Sequence, residues 1–404
     1  MGVPAIPRLE DYGLSTSYGF LGLSGRSSLS AEYKQWEDIL SQLPQLIANG
    51  EIANAVACLP LLDASQLSAA ADLQHAYVCL AFIIHGHVWG IHAASTKQGT
   101  PQIPPQLSEP FLEVCKRIGT EPVLSYSGLC LWNWRSTKDR QNCPVPLSLD
   151  HLETFGSFTG TIGEAAFYLV PVLIEAEGAH LIQLLLQAVR AASSGDFDYV
   201  KAALEETTAT LDRMSQHLPK LYPLLDAKMF YHELRPFFSG GQGAEDKGLP
   251  RGMVFQRSDG SELDVKCIGG SAAQSSLFPF LDAVLGVSHG NSSKGSVFQE
   301  MRRYMPEHHR RFLQQVEALP SIRSFVAAHP LEAELLDTFN GCLDKLRSWR
   351  GKHMAVVSKY IVQPARAMAN ESGGETELQG TAGSSLISFL RQSRDETIGI
   401  TKNL

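Results

Sequence analysis

The sequence is short of charge and of long basic runs, and this shortage argues against two classes of protein. Charged residues make up 19% of the 404 residues, and the formal net charge is −8. Basic residues are not gathered into a run longer than a few positions. Nucleic-acid-binding and membrane-surface proteins need such clusters, so we expect no nucleic acid and no membrane as partners. A small molecule or another protein remains as the partner.

Paired cysteines and long apolar runs are also missing. The seven cysteines are scattered, odd in number and without a CxxC pair, which argues against a disulfide framework and against zinc. The N-terminus MGVPAIPRLEDYG has no secretory signal pattern, and the most apolar stretch, 165–174, is shorter than a membrane span. We therefore expect free thiols in a reducing compartment and a cytoplasmic protein.

Alternation typical of strands is nearly absent, whereas apolar residues recur at helical spacing along most of the chain. The pattern predicts an all-α fold. A polar stretch followed by prolines at 136–149 suggests a boundary between a small helical domain, 1–145, and a larger one, 146–404. We predict a loop over 239–261, a loop over 370–384, and helices over 31–47, 64–93, 106–118, 122–132, 160–193, 197–216, 222–238, 271–287, 296–316, 331–366 and 385–394.

His353 lies in the middle of an apolar helical stripe that includes Leu346, Trp349, Val356 and Tyr360. A buried imidazole without a partner costs about 1–3 kcal/mol, so His353 must bind something. A hydrogen bond to a neighbour is the simpler interpretation, and an axial bond to haem iron is the other. Helical spacing does not decide between them.

The histidines of HGHVWGIH (85–92) permit a metal site or a structural role. The H-x-H step does not place two ligands on one face of a helix, and no carboxylate accompanies them. A structural role is therefore the preferred interpretation.

Arg235 lies among aromatic residues in KMFYHELRPFFSGG, where it could stack on a ring or bind a carboxylate inside a pocket. Residues 268–276, IGGSAAQSS, place small side chains where a loop enters a helix. Such a segment permits the close approach of a flat ligand, but it also suits tight helix packing. Both questions stay open at this point.

Several strings in a fixed order resemble the indoleamine 2,3-dioxygenase family. They are HVWG, SYSGLCLWNW, FYHELRPFFSGG, GGSAAQSS, FQEMRRYMPEHHRRFL, RGKHMAVVSKYI and GTAG, which together span roughly residues 30–395. The resemblance implies an all-α fold with a small N-terminal domain over a larger domain that binds haem b. It also implies that His353 is the proximal iron ligand, with Asp282 and Arg350 behind it as a pair that orients the imidazole.

The resemblance also assigns substrate-binding positions. Arg235 corresponds to the arginine that pairs with the substrate carboxylate, and the Ser271–Ala272 backbone lies near both haem and substrate. Thr381 belongs to a mobile glycine-rich loop that closes over the substrate, in which Ala382 replaces a family glycine. The remaining pocket positions are Tyr126, Leu129, Phe167 and Phe230.

Two departures from the family pattern fall within the expected pocket. Pro171 stands where well-known members have a distal serine, so no side-chain hydroxyl at this position can act as a base. Leu129 and Cys130 replace nearby pocket residues of some members. These changes are expected to affect substrate affinity.

The implied reaction inserts O2 across the C2–C3 bond of the indole of L-tryptophan and gives N-formylkynurenine, the first step of the kynurenine pathway. It requires an electron donor that keeps the iron ferrous, and a monomer is expected. Whether the role is tryptophan catabolism or supply for NAD biosynthesis stays open. The alternatives are a haem protein with low tryptophan turnover that acts on other indoleamines, and a catalytically silent scaffold.

Overall fold

The computed structural model describes residues 5–22, 28–94, 101–138, 147–288 and 295–372. Helices dominate the described chain, and the predicted all-α class is confirmed. The division at 145/146 stays a prediction. The helices are α1 (Lys34–Ala48), α2 (Ile52–Ala57), α3 (Ala70–Ala94), α4 (Pro105–Ile118), α5 (Ile162–Ser194), α6 (Phe197–His217), α7 (Ala227–Met229), α8 (Leu277–Leu285), α9 (Gly295–Arg302), α10 (Glu307–Glu317), α11 (Ile322–Ala328), α12 (Ala333–Val357) and α13 (Gln363–Ser372).

Strands among the described residues are short. They are β1 (Gln102–Ile103), β2 (Arg135–Ser136), β3 (Leu152–Glu153), β4 (Met253–Gln256) and β5 (Glu262–Val265). β4 pairs with β1 in parallel and with β5 in an antiparallel hairpin, while β2 pairs with β3. The prediction of a loop over 239–261 was therefore wrong in part, because β4 lies within it. β4 has the sequence MVFQ, in which three buried apolar residues follow one another, so it shows no alternation from which a strand could be predicted.

α5 is the central helix, close to the predicted 160–193. The Thr161 hydroxyl accepts the Glu164 N–H at its start, and Gly195 ends it with a positive φ of 74°. Its length and hydropathy would suit a membrane span, but 72% of its apolar window is buried inside the protein. α5 packs against α6, α8 and α11, so its apolar surface serves the core of the fold.

The predicted helices 122–132, 222–238 and 271–287 are broken in the structure. Residues 227–238 change from α7 to a π turn, Phe230–Leu234, and then to a 3-10 turn, Arg235–Phe238. Pro236 has no N–H for a helical hydrogen bond, which contributes to this break. In 122–132 only the π turn Ser127–Leu131 forms, and in 271–287 a 3-10 turn, Ala272–Gln274, precedes α8. Periodicity did not predict these breaks.

The long predicted helices 296–316 and 331–366 are each divided. Pro306 separates α9 from α10, and a π turn, Ser358–Val362, joins α12 to α13 just before Pro364. Six cysteines fall in the described chain, and all six are free thiols, as predicted; Cys143 lies outside the described residues. The predicted helix 385–394 also lies outside them.

Candidate functional site

A cavity of about 260 Å³ lies between α5, α8, α12 and the turns that follow α7. The structure brings together around it ten of the residues proposed from sequence for cofactor, metal or substrate. The eleventh, Thr381, lies outside the described residues. The ten lining residues are Tyr126, Leu129, Phe167, Phe230, Arg235, Ser271, Ala272, Asp282, Arg350 and His353.

The imidazole of His353 faces this cavity from α12. Its ring stacks on Trp349, with the centroids 5.5 Å apart and the planes at 13°, and Trp349 in turn stacks on Phe278. Neither ring nitrogen of His353 bonds to a residue in the described part of the chain. Burial lowers the pKa of His353 to about 4, so the ring is neutral near pH 7. A neutral imidazole with a nitrogen available is the form that binds a metal.

The set of donors around His353 fits haem iron better than a bare metal ion. A bare zinc ion takes three or four protein ligands, whereas haem iron requires only one or two. Across the described residues, no group of three or more histidine, cysteine or acidic side chains is placed to hold a metal. The apolar walls around His353 also suit the porphyrin face.

Asp282 and Arg350 form a buried ion pair in the cavity wall. Arg350 Nη2 donates to both carboxylate oxygens of Asp282, at 2.6 and 2.7 Å, and the two side chains are 9% and 7% exposed. The pair joins α8 to α12 one helical turn before His353. It is therefore placed to fix the part of α12 that carries the imidazole.

Three phenylalanines form another part of the cavity wall. Phe167 of α5 lies 5.4 Å from Phe238 with nearly parallel planes, and 4.8 Å from Phe230. Because Phe230 is tilted by 48° to Phe167, the three rings create an apolar surface of faces and edges, which suits an aromatic ring. Pro171 and Cys130 line the same cavity.

Arg235 brings a positive charge to the edge of this aromatic wall. Its guanidinium lies 5.1 Å from the ring centroid of Tyr231. Burial lowers the pKa of Arg235 below its ordinary value, but a guanidinium stays protonated at neutral pH. Since Phe230 lies just over one turn earlier, the segment presents an aromatic face and a planar cation to one cavity.

Side chains of α3 hold the segments that carry Arg235 and Tyr126. The Leu124 N–H donates to His85 Nε2 at 3.0 Å, so His85 Nδ1 carries the hydrogen and donates to the Phe237 carbonyl at 2.7 Å. One turn later, Trp89 Nε1 donates to the Ser239 carbonyl at 2.9 Å. The structural interpretation of His85 agrees with this geometry. Its anchoring of two pocket segments could not be read from the sequence.

Gln274 organises the small-residue loop, and sequence reasoning missed it. Its side-chain oxygen accepts the Tyr126 N–H at 2.8 Å, and its nitrogen donates to the Gly269 carbonyl at 3.0 Å. A Cβ on Gly269 would lie 1.8 Å from the Phe238 carbonyl oxygen, so only glycine fits there. The loop therefore ties Tyr126 to the segment after Arg235.

Glu175 and Ser275 were also missed. Glu175 Oε1 accepts the hydroxyl of Tyr126 at 3.0 Å and the hydroxyl of Ser275 at 2.6 Å. Burial raises the pKa of Glu175 to about 7. The available signal in the sequence is the position of Glu175, which directly follows the apolar stretch 165–174.

Comparisons with known proteins agree with this geometry. The sequence profile described as indoleamine 2,3-dioxygenase matches residues 8–400. Similar proteins include the 6-hydroxytryptophan 2,3-dioxygenase of Fusarium equiseti, 35% identical over 96% of this chain and 97% of the relative. The indoleamine 2,3-dioxygenase of Saccharomyces cerevisiae is 32% identical over 97% and 93%, and the human indoleamine 2,3-dioxygenase 2 is 31% identical over 98% and 96%. The chain therefore belongs to the indoleamine 2,3-dioxygenase family of haem-dependent oxidoreductases.

Proposed function

We propose that the protein binds haem b through His353 and inserts O2 across the indole C2–C3 bond of L-tryptophan, giving N-formylkynurenine. The observation that carries this proposal is the presence of two features in one cavity. A neutral imidazole with an available nitrogen and an aromatic surface ending in Arg235 line the same cavity.

The residues of this chain would bind, orient and shield the substrate. The Arg235 guanidinium would hold the substrate carboxylate by charge-assisted hydrogen bonds, and Phe167 and Phe230 would fix the plane of the indole. The buried walls would exclude water from the reacting carbons. Haem, when bound, supplies the activation of dioxygen for which no side chain is suited.

The cellular context follows from the same proposal. We infer that the protein is a monomer in the cytoplasm and does not bind membranes. A separate electron donor would keep the iron ferrous. The free thiols and the absence of basic runs in the sequence support this inference. The product would enter the kynurenine pathway, for tryptophan catabolism or for NAD biosynthesis.

A second substrate, a ring-hydroxylated tryptophan, is favoured by two observations. One relative bears the name 6-hydroxytryptophan 2,3-dioxygenase. In addition, Tyr126 and Ser275, two of the residues lining the cavity, carry hydroxyl groups. Polar atoms in this wall would suit a hydroxyl group on the indole.

Turnover by the purified, reduced haem protein tests both substrates. We expect O2-dependent conversion of L-tryptophan, and much slower conversion of tryptamine, which lacks the carboxylate that Arg235 would bind. Equal turnover of tryptophan and tryptamine would refute the role of Arg235. No O2 consumption with any indole substrate would refute the proposed reaction itself.

A further inference from the structure

Glu175 is a buried carboxyl that the reaction described above does not use. Its residue is 2% exposed, and its Oε2 atom has no hydrogen-bond partner in the described part of the chain. Its Oε1 atom accepts two hydroxyl hydrogens, from Tyr126 and Ser275, and both of these residues line the cavity. The carboxyl therefore acts on the cavity wall through its two neighbours.

The donor and acceptor capacity of these hydroxyls is limited. Each hydroxyl has one hydrogen and two lone pairs. Tyr126 and Ser275 both direct that hydrogen to Glu175, and the Ser275 oxygen also accepts the Leu277 N–H at 3.3 Å. What each oxygen still offers is a lone pair, so both residues can only accept a further hydrogen bond.

Glu175 lies further along α5 than Phe167, so the part of the cavity near Glu175 is separate from the aromatic wall around Phe167. Glu175 follows Phe167 by eight residues, roughly 12 Å along a helix axis. Phe167 contacts Phe230, close to Arg235 in the chain. A substrate whose carboxylate binds Arg235 and whose ring lies on Phe167 would occupy the cavity that Tyr126 and Ser275 also line.

We propose that Glu175 is a positioning residue that holds the Tyr126 and Ser275 hydroxyls as hydrogen-bond acceptors toward the cavity, so that the pocket prefers an indole substrate with a ring hydroxyl. This inference rests on the proposed function of the cavity. The preferred substrates share one chemical property, a hydrogen-bond donor on the benzene ring of the indole. Plain tryptophan would leave these acceptors without a donor from that ring.

Ionisation of Glu175 makes the preference depend on pH. Other titratable groups that face it are the Tyr126 phenol and the Cys130 thiol, whose pKa values are raised mainly by burial and further by this carboxylate. On the α6 side, Arg213 and His217 pair with Glu177 instead. The pKa of Glu175 lies at about 7. A carboxylate binds hydroxyl hydrogens more strongly than a neutral acid, so the preference should increase as pH rises through this value.

The test compares ligands that differ only in the donor on the ring. Affinities of the ferric haem protein for 5- and 6-hydroxytryptophan and for the matching fluorotryptophans are measured by calorimetry at about pH 6 and about pH 8. We expect at least one hydroxy compound to bind roughly tenfold more tightly than its fluoro counterpart at the higher pH, the value of one good hydrogen bond. Equal affinities within both pairs would overturn the proposal.

Variants then assign the preference to Glu175. Glu175→Gln should reduce the hydroxy-to-fluoro preference and remove its pH dependence. The matched control is Glu164→Gln, since Glu164 is also buried on α5 but bonds to Ser157, Thr159 and Tyr168, none of which lines the cavity. A full preference in Glu175→Gln, or the same loss in the control, would contradict the assignment.

A second variant and two further measurements separate a failure of folding or function from a failure of the proposed preference. If Glu175→Gln fails to fold, Ser275→Ala removes one acceptor and leaves the carboxyl in place; it should lower the preference, and an unchanged preference would count against the proposal. Haem content and tryptophan turnover are recorded separately. A protein without haem or turnover refutes the proposed function, whereas an active enzyme without hydroxyl preference refutes only this inference.

Discussion

The two walls of the cavity are built in different ways. His353 lies on α12, a regular helix of 25 residues, and its neighbours in the site come from the same helix and from α8. Arg235 lies in a segment that passes through α, π and 3-10 turns within twelve residues. The first wall follows from helical periodicity, whereas the Arg235 segment of the second wall is also held by side chains that are distant in sequence.

The anchors of the second wall come from the other half of the sequence. His85 and Trp89 of α3 bind the carbonyls of Phe237 and Ser239, which follow Arg235. The first wall instead joins α8 to α12 through the Asp282–Arg350 ion pair and the stacking of Phe278 on Trp349. We therefore expect variants of the first wall to affect the cofactor, and variants of the second wall to affect the substrate.

The largest effect is expected for His353→Ala, which removes the histidine of the cavity that would hold the haem iron. Haem content after purification should fall to a small fraction of the parent value, and turnover should fall with it, as measured by Soret absorbance and O2 consumption. His180→Ala, an exposed histidine of α5 that pairs with Glu206, is the control. Normal haem content and turnover in His353→Ala would remove this residue from the role.

Arg235→Lys should weaken tryptophan binding roughly 10- to 100-fold, because a lysine cannot reproduce the planar pair of hydrogen bonds to a carboxylate. Carbon monoxide binding to the ferrous haem should stay close to that of the parent. Titrations with both ligands measure this difference. Equal losses for both ligands would show that Arg235 supports the fold rather than the substrate.

His85→Phe tests whether the second wall depends on its anchor. The change leaves a buried N–H at Leu124 and a buried carbonyl at Phe237 without partners, at a cost of about 1–3 kcal/mol each. We expect a lower unfolding midpoint in urea and a several-fold higher KM for tryptophan, with haem content retained. His87→Phe, which removes a single bond to the Gln102 carbonyl, is the control and should leave KM unchanged.

Glu175 makes the stability of the folded protein depend on pH. Its pKa is raised from 4.5 to about 7, so the native state binds more protons than the unfolded state between these values. The stability from this group is complete below about pH 4.5 and is lost as pH rises through 7, by about 3 kcal/mol in total. Glu175→Gln should flatten the pH dependence of the free energy of unfolding over this range. An unchanged slope would contradict the shift.

The smallest effect is expected for Pro171→Ser, which adds a hydroxyl to the cavity wall and restores a backbone N–H within α5. Tryptophan affinity should change by a few-fold while turnover persists. Separate measurement of KM and kcat distinguishes an effect on tryptophan binding from an effect on turnover. An unchanged KM would show that this position does not shape the substrate side.

Sequence reasoning was most successful where local rules decide the structure. The all-α class and α5 follow from periodicity, and the place of His353 on an apolar helical face is a local property of α12. The roles expected for the site residues came from the family resemblance, and they stay predictions, although ten of the eleven positions line one cavity. The eleventh, Thr381, lies outside the described residues.

Interactions over long sequence separations could not be predicted in the same way. Glu175 meets Ser275 across 100 residues, and His85 meets Phe237 across 152. Neither pair leaves a repeating pattern, because each contact depends on how α3, α5 and the loops pack together. The same argument applies to the turns around Arg235, where packing and Pro236 override helical propensity.

In the proposed function, one wall of the cavity would hold the cofactor and the other would bind the substrate. The most direct test is the visible spectrum of the ferrous protein, made with ample haem, before and after L-tryptophan is added, for the parent and for Arg235→Lys. We expect a Soret band in both proteins and a tryptophan-dependent change that needs far more tryptophan in the variant. Absence of a Soret band in the parent, or equal tryptophan responses in both, would contradict the proposal.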